Sequence, residues 1–266
     1  MVARFDILVI SALVFAVMLL FVRNDSPVQT PLVDRRVIKP VKALDAPMYV
    51  INLARNTDRL KTFMNFVADS DFKDQTITRL PAIDGKSVDL EHVVSREAMP
   101  ALTHTMLTDS RTSHEQLTVG AVGCYLSHMA AWKAIRDSGK PFGFVFEDDA
   151  EVGVHALRDT LAALDSLPSG WDILLLGTAC LNECPRVPHT PLKKVTHFVR
   201  FHAYVVSRKA CEFLCGDTSG MLPMSIQVDW KISELAAQDK VKVFTTRTFL
   251  ADSGYQGTDI QRPVFR

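Results

Sequence analysis

Phe142-Gly143-Phe144-Val145-Phe146-Glu147-Asp148-Asp149-Ala150 is an apolar strand that runs straight into three adjacent carboxylates. Side chains alternate faces along a strand, so Glu147 and Asp149 are expected on one side and Asp148 on the other. Two carboxylates converging at a strand end make a hard-oxygen site suited to Mg²⁺ or Mn²⁺. Such cations keep several waters and take further ligands from substrate phosphates, which points to an enzyme that handles a diphosphate. A competing reading makes the run a solvated acidic turn that caps the next helix, since acidic groups favour a helix N-terminus.

Outward from this strand, short apolar runs alternate with helical patterns. Met48 to Leu53 reads as a strand, followed by a helix with Leu60, Phe63, Met64 and Val67 at helical spacing and Asn56 or Thr57 as cap. Thr76 to Leu80 reads as a second strand and Val119 to Arg136 as a helix with Val122, Leu126, Met129 and Trp132 on one stripe. After the acidic run come a helix with Leu157, Leu161 and Leu164, a buried strand at Ile173 to Leu176, and a strand from Phe198 to Val206. Ser207 caps a helix bearing Ala210, Phe213 and Leu214. A helix near Val228 to Gln238 and a strand at Val241 to Thr245 complete the pattern. Alternating strands and helices predict an α/β fold with a mostly parallel central sheet. Ligands of such sheets collect at the carboxyl ends of strands, where Glu147–Asp149 lies.

The chain has 266 residues, with 30 basic and 30 acidic side chains. A formal charge of zero argues against a nucleic-acid surface, which calls for a basic excess. The segment Ile7 to Val22 is apolar except for Ser11, and no small-x-small cleavage site follows it. It reads as a membrane anchor, with an uncleaved or late-cleaved signal as the alternative. The expected organisation is an anchor at 1–23, a Pro-containing stem at 24–47 and a catalytic domain at 48–266. That implies a single-pass protein of the Golgi or ER lumen if eukaryotic, or of the inner membrane if bacterial. Cys180/Cys184 and Cys211/Cys215 share a four-residue offset, open to disulfides or a zinc site, although Cys211 and Cys215 also read as buried apolar residues on one helix face.

Four further stretches carry chemistry. Asn52 and Arg55 follow the first strand, where a nucleotide's base or phosphates would meet the sheet edge; an ordinary loop with Asp58 as cap paired to Arg59 explains the same residues. Asp84 can accept from ribose hydroxyls while Gly85 permits close approach, or the two form a plain Asp-Gly turn. Ser127 and His128 lie within a helix, facing substrate or serving the core. Asp229 stands beside Trp230, as a general base with an aromatic platform for a sugar, or as a capping Asp next to a buried Trp.

In order and spacing, these stretches resemble glycosyltransferase family 25, the lipooligosaccharide and procollagen β-galactosyltransferases. The matching residues are Tyr49-Val50-Ile51-Asn52-Leu53 with Arg55 and Asp58-Arg59, Pro81-Ala82-Ile83-Asp84-Gly85, Leu117-Thr118, Gly120, Gly123-Cys124, Leu126-Ser127-His128 and Glu147-Asp148-Asp149. Trp171-Asp172 through Gly177, Ala203-Tyr204-Val205-Val206-Ser207 and Val228-Asp229 follow. The resemblance implies a GT-A-like, Rossmann-type domain, a UDP-sugar donor and a divalent metal, Mn²⁺ or Mg²⁺. Glu147 and Asp149 would hold the metal, and Asp229 would act as the base of an inverting transfer. Asn52, Arg55, Asp84, Gly85 and Asp148 would contact the nucleotide, with Asp259 added from a tail in which Thr258 replaces the family's usual Ser. Galactose is the expected sugar and a glycan, glycolipid or protein hydroxyl the expected acceptor. The competing class is a catalytically silent relative used for binding or adhesion. A metal-dependent phosphohydrolase would need more His or Asp ligands, and His155 is the only nearby His.

Overall fold

The computed structural model describes residues 42–253. The expected anchor at 1–23, most of the stem and Asp259 lie outside them. Among the described residues no helix is long and apolar enough to cross a membrane. In chain order the elements are β1 (Met48–Asn52), α1 (Thr57–Ala68), β2 (Thr78–Pro81), α2 (Leu90–Val93), α3 (Met99–Thr108) and α4 (Val119–Asp137). They continue with β3 (Phe142–Glu147), β4 (Ala150–Val152), α5 (Ala156–Asp165), β5 (Ile173–Leu175), β6 (Ala179–Cys180), β7 (Leu192–Val195) and β8 (Phe198–Val199). The last are β9 (Ala203–Ser207), α6 (Arg208–Leu214), α7 (Val228–Ala237), β10 (Val243–Thr246) and β11 (Ala251–Ser253).

A seven-stranded sheet in the order β2-β1-β3-β9-β5-β10-β7 forms the centre. Its central strands β3, β9 and β5 are buried on both faces, which is why they read as unbroken apolar runs rather than alternating ones. Val145, Ile173, Leu175, Tyr204 and Val206 pack on one side against α4, α6 and α7. Phe144, Phe146, Leu174, Ala203 and Val205 pack on the other against Phe63 and Val67 of α1 and Leu157 of α5. The rings of Phe72 and Phe146 meet edge to face at 5.6 Å.

The sheet is mixed rather than uniformly parallel. β2, β1 and β3 are parallel neighbours, as are β5 and β10, whereas β9 runs antiparallel to both β3 and β5, and β7 antiparallel to β10. The expected strand from Phe198 to Val206 is two strands, broken at Arg200, whose φ is +73°. β8 pairs with β6 in a separate two-stranded ribbon, so the chain joins the central sheet only after the turn at Arg200. β9 therefore enters at the edge where β3 ends, and the Glu147 N–H donates to the His202 carbonyl at 2.7 Å. That entry brings a histidine to the end of the acidic strand.

The first turn of α4 docks directly on the turn after β2. A Cβ on Gly123 would lie 2.4 Å from the Ile83 carbonyl oxygen and 2.6 Å from the Gly85 nitrogen. Ser127 Oγ accepts from the Ile83 N–H at 2.8 Å and donates to the Gly123 carbonyl at 2.6 Å. The Gly123→Ala substitution is expected to destabilise the protein by about 1–3 kcal/mol, because backbone must shift to admit one methyl group. Urea unfolding checks this, and an unchanged midpoint would contradict the packing account.

Candidate active site

β1 lies between β2 and β3, so the chain leaves β1 to one side and later returns on the other. A crevice opens at the carboxyl ends of strands where the order reverses in this way. Three chain segments meet there: the loop after β1, the turn after β2 and the acidic turn after β3. They enclose a cavity of about 70 Å³ whose walls include Arg55, Arg59, Asp84, Gly85, Glu147 and Asp149. A second cavity, of about 580 Å³, is lined by His202, Gln227, Asp229 and Trp230, and it too takes Glu147 and Asp149 as wall residues. The two carboxylates expected to share a side thus stand between the two cavities.

Asp148 is spent differently. Its Oδ2 accepts from Asn52 Nδ2 at 2.7 Å and its Oδ1 pairs with Arg59 at 2.5 Å. Asn52 is itself buried, donating also to the Asn56 carbonyl and accepting from Arg79 Nε at 2.8 Å. Asn52 and Asp148 therefore bind the loop after β1 to the acidic turn. The cap of α5 is supplied from elsewhere, since Asp71 accepts from the Leu157 and Arg158 N–H groups at 2.8 and 3.0 Å. The acidic turn is not that helix's cap, which removes the competing reading of the sequence.

The remaining two carboxylates are electrostatically unequal. Burial opposes ionisation of Glu147, but a hydrogen bond from His128 at 3.2 Å and nearby positive charge outweigh it and hold the carboxyl below the usual glutamate range. Asp149 is pushed up to about 7, by burial first and by Glu147 second. Arg59 approaches Asp149 Oδ2 at 3.3 Å, whereas Oδ1 is buried without a hydrogen-bond partner. His202 is 4% exposed, and burial pushes its imidazole down, so the neutral ring donates from Nε2 to the Ala251 carbonyl at 3.3 Å. Its Nδ1 is left buried without a partner. Gly177 allows that approach, for a Cβ there would sit 1.7 Å from the Ala251 oxygen.

Unpartnered carboxylate and imidazole donors on the cleft wall fit a divalent cation such as Mn²⁺ or Mg²⁺. The trio Cys124, His128 and Glu147, whose ligand atoms lie within 4.8 Å of one another, fits less well. Both ring nitrogens of His128 are already engaged, and burial raises the Cys124 thiol well above its ordinary value, opposing the thiolate a metal requires.

At the rim, Arg55 forms an ion pair with Asp84, which also accepts from the Lys86 N–H at 3.1 Å. That amide, followed by the Arg55 hydrogen bond, holds the Asp84 carboxyl below its usual value. Asp84 is thus both the cap of its turn and a charged rim group. Across the larger cavity, Asp229 sits in the first turn of α7 and accepts from the Trp230 N–H at 2.9 Å. Burial, the largest cause, pushes its carboxyl up to about 6. Gln227 occupies the N-cap position and the helix starts at Val228, so Asp229 is not its cap.

The sequence reading paired Arg59 with Asp58 only in its ordinary-loop alternative and left His202 without a role. The signal for Arg59 was the charge imbalance itself, since three consecutive carboxylates need a nearby cation. His202 carried no local signal, because its place depends on the direction in which β9 enters the sheet. Cys180 and Cys184 are disulfide-bonded, whereas Cys211 is a buried free thiol in α6.

Against known proteins, the profile described as Glycosyltransferase family 25 (LPS biosynthesis protein) matches residues 45–229. The chain is similar to procollagen galactosyltransferase 1 of Danio rerio, 29% identical over 135 residues, 49% of this chain and 21% of that protein. It is also similar to procollagen galactosyltransferase 2 of Homo sapiens, 23% identical over 180 residues, 64% of this chain and 27% of that protein. A third relative, inactive glycosyltransferase 25 family member 3 of Homo sapiens, is 26% identical over 155 residues, 56% of this chain and 24% of that protein. The matched stretches therefore span about a quarter of these relatives' length. With the family profile running from the start of β1 to Asp229 across the whole carboxylate cleft, the chain belongs to glycosyltransferase family 25.

Proposed function

We propose that this chain is a metal-dependent inverting glycosyltransferase that moves a hexose, galactose foremost, from a UDP-sugar to a hydroxyl of a glycan, glycolipid or protein. One observation carries the reading: Glu147 and Asp149 form a wall common to two cavities, with Asp149 Oδ1 buried and unpartnered. A GT-A-like arrangement places the nucleotide on the β1 side, where Arg55, Asp84 and Gly85 line the smaller cavity. The acceptor then occupies the larger cavity beside Asp229 and Trp230. The procollagen galactosyltransferase relatives favour galactose and a protein acceptor, and the family description favours a lipopolysaccharide one.

Glu147 and Asp149 would hold Mn²⁺ or Mg²⁺, which when bound supplies Lewis-acid stabilisation for charge on the departing diphosphate. Arg59 keeps the acidic turn in place through Asp148 and Asp149. The acceptor oxygen attacks the anomeric carbon on the face opposite UDP. The new C–O bond forms as the bond to the phosphate oxygen breaks, UDP leaves with the electron pair, and Asp229 takes the hydroxyl proton. A carboxyl raised to about 6 is a stronger base than an ordinary aspartate and remains ionised at neutral pH. Trp230 offers a flat apolar surface to a sugar ring. The disulfide between Cys180 and Cys184 supports a lumenal or periplasmic placement, because oxidising compartments preserve such bonds.

The inactive family member 3 gives a binding-only module some standing. The presence of Glu147, Asp149 and Asp229 favours the enzyme. Incubation with UDP-galactose, Mn²⁺ and hydroxyl acceptors should release UDP and form a β-linked product; absence of hydrolysis or transfer with every UDP-hexose would overturn the reading. Asp229→Asn is expected to lower kcat by about 10²–10⁴-fold with UDP binding retained, as expected for loss of a general base. In the wild type, kcat should fall as pH drops through about 6, because protonated Asp229 accepts no proton.

Asp149 makes a separate prediction. Its pKa is raised on folding, so its ionisation costs stability fully above pH about 7, and the cost shrinks as pH falls toward the ordinary carboxylate value. Asp149→Asn is therefore expected to abolish activity while raising the Tm of the chelator-treated protein at pH 8. Scanning calorimetry checks this, and a lower Tm would refute the electrostatic account.

A further inference from the structure

Behind Glu147 lies a chain of polar groups that the transfer itself does not use. His128 and Trp132 lie four residues apart on α4, and Tyr204 sits in β9 opposite Val145. All three side chains are fully buried. Trp132 Nε1 lies 2.8 Å from the Tyr204 hydroxyl, which lies 2.9 Å from His128 Nδ1. On the far side of the ring, His128 Nε2 lies 3.2 Å from Glu147 Oε1.

The chemistry of these groups permits one direction of donation. An indole nitrogen only donates, so Trp132 cannot take the Tyr204 hydroxyl hydrogen. In a dry core that hydrogen needs an acceptor, and His128 Nδ1 is the acceptor within reach. Nδ1 must then be bare, and a neutral imidazole bare at Nδ1 carries its proton on Nε2, pointed at a carboxylate that can only accept. A doubly protonated ring would direct Nδ1–H at the hydroxyl and strand the hydroxyl hydrogen. Phe201 closes the side, stacked on Tyr204 with ring centroids 4.0 Å apart and 5.1 Å from the His128 ring. Exclusion of water makes each of these hydrogen bonds more consequential than it would be at a surface.

We propose that His128 is a positioning residue that fixes Glu147 by donating from Nε2 to Oε1, leaving Oε2 for the divalent cation, and that Tyr204 and Trp132 set the tautomer that makes this donation possible. The proposal rests on the metal reading given above. Outer partners that orient metal ligands in this manner hold the ligand's geometry, and a hydrogen bond donated to a carboxylate keeps it ionised for a cation. The Trp132–Tyr204 pair makes the arrangement insensitive to small movements of Glu147, because the ring is anchored from the helix and the sheet together.

The test combines ¹⁵N–¹H NMR of the histidine rings with Mn²⁺ affinity measured by EPR on the full chain, comparing wild type, H128Q, H128L and Y204F. The wild-type His128 ring should show a protonated Nε2 and a bare Nδ1. His128→Leu should weaken Mn²⁺ binding by about 10–100-fold, whereas His128→Gln, which keeps an N–H donor at the end of its side chain, should stay within about threefold. Tyr204→Phe, which removes the ring's outer anchor, should weaken Mn²⁺ binding without loss of fold by circular dichroism. A wild-type ring protonated on Nδ1, or a folded H128L that binds Mn²⁺ as tightly as wild type, would overturn the proposal. If wild type binds no Mn²⁺, the metal reading falls first, and the ring spectrum still decides the tautomer.

Discussion

Crowding of negative charge at one sheet edge is the constraint around which this protein is organised. Glu147, Asp148 and Asp149 occupy consecutive positions, and Arg59 pairs with only the latter two. Like charges that close, in a partly dry cleft, oppose one another strongly. The protein disposes of the repulsion unevenly. Asp148 is paired with Arg59 and hydrogen-bonded by Asn52, Glu147 is held ionised by His128, and Asp149 is left with a carboxyl pushed up to about 7.

Topology decides why this edge and no other carries the burden. The reversal of strand order at β1 opens the crevice, and the antiparallel entry of β9 closes its far side with His202. A parallel β9 would begin at the opposite edge and leave Glu147 without that neighbour. Close backbone contact between α4 and the turn after β2, made through Gly85 and Gly123, sets the height of the helix. From that height Ser127 reaches Ile83, His128 reaches Glu147 and Trp132 reaches Tyr204. Helix packing and site chemistry are therefore one geometric fact.

Much of this was legible in the sequence, and the boundary of legibility is physical. The strand at Phe142–Glu147, the helix at Val119–Asp137 and the pairing of Glu147 with Asp149 followed from local periodicity. Strand direction did not, because it depends on link lengths and on pairing between segments distant in sequence. The split at Arg200 was hidden for a related reason. Nothing in Phe198 to Val206 other than tertiary context requires a left-handed residue there. The parts of Asn52 and Ser127 were visible as motif positions but not as roles. Their polar groups are spent inside the protein, on Asp148 and Ile83, while their neighbours in sequence face the cleft.

That division between residues that hold the cleft and residues that act in it bears on how a relative of this fold can fall silent. Asn52, Gly85, Gly123 and Ser127 secure the loops, and changing them disturbs backbone packing or leaves buried polar groups unpaired, a cost of about 1–3 kcal/mol each. Asp149 and Asp229 are different: burial already works against their ionised forms, raising the two carboxyls to about 7 and about 6. Replacing either by a neutral residue relieves the fold rather than straining it. A chain no longer selected for transfer would therefore be expected to lose these two carboxylates before it loses the motif that surrounds them. The present chain carries both carboxylates despite that cost, which is the physical basis for proposing a catalytic cleft.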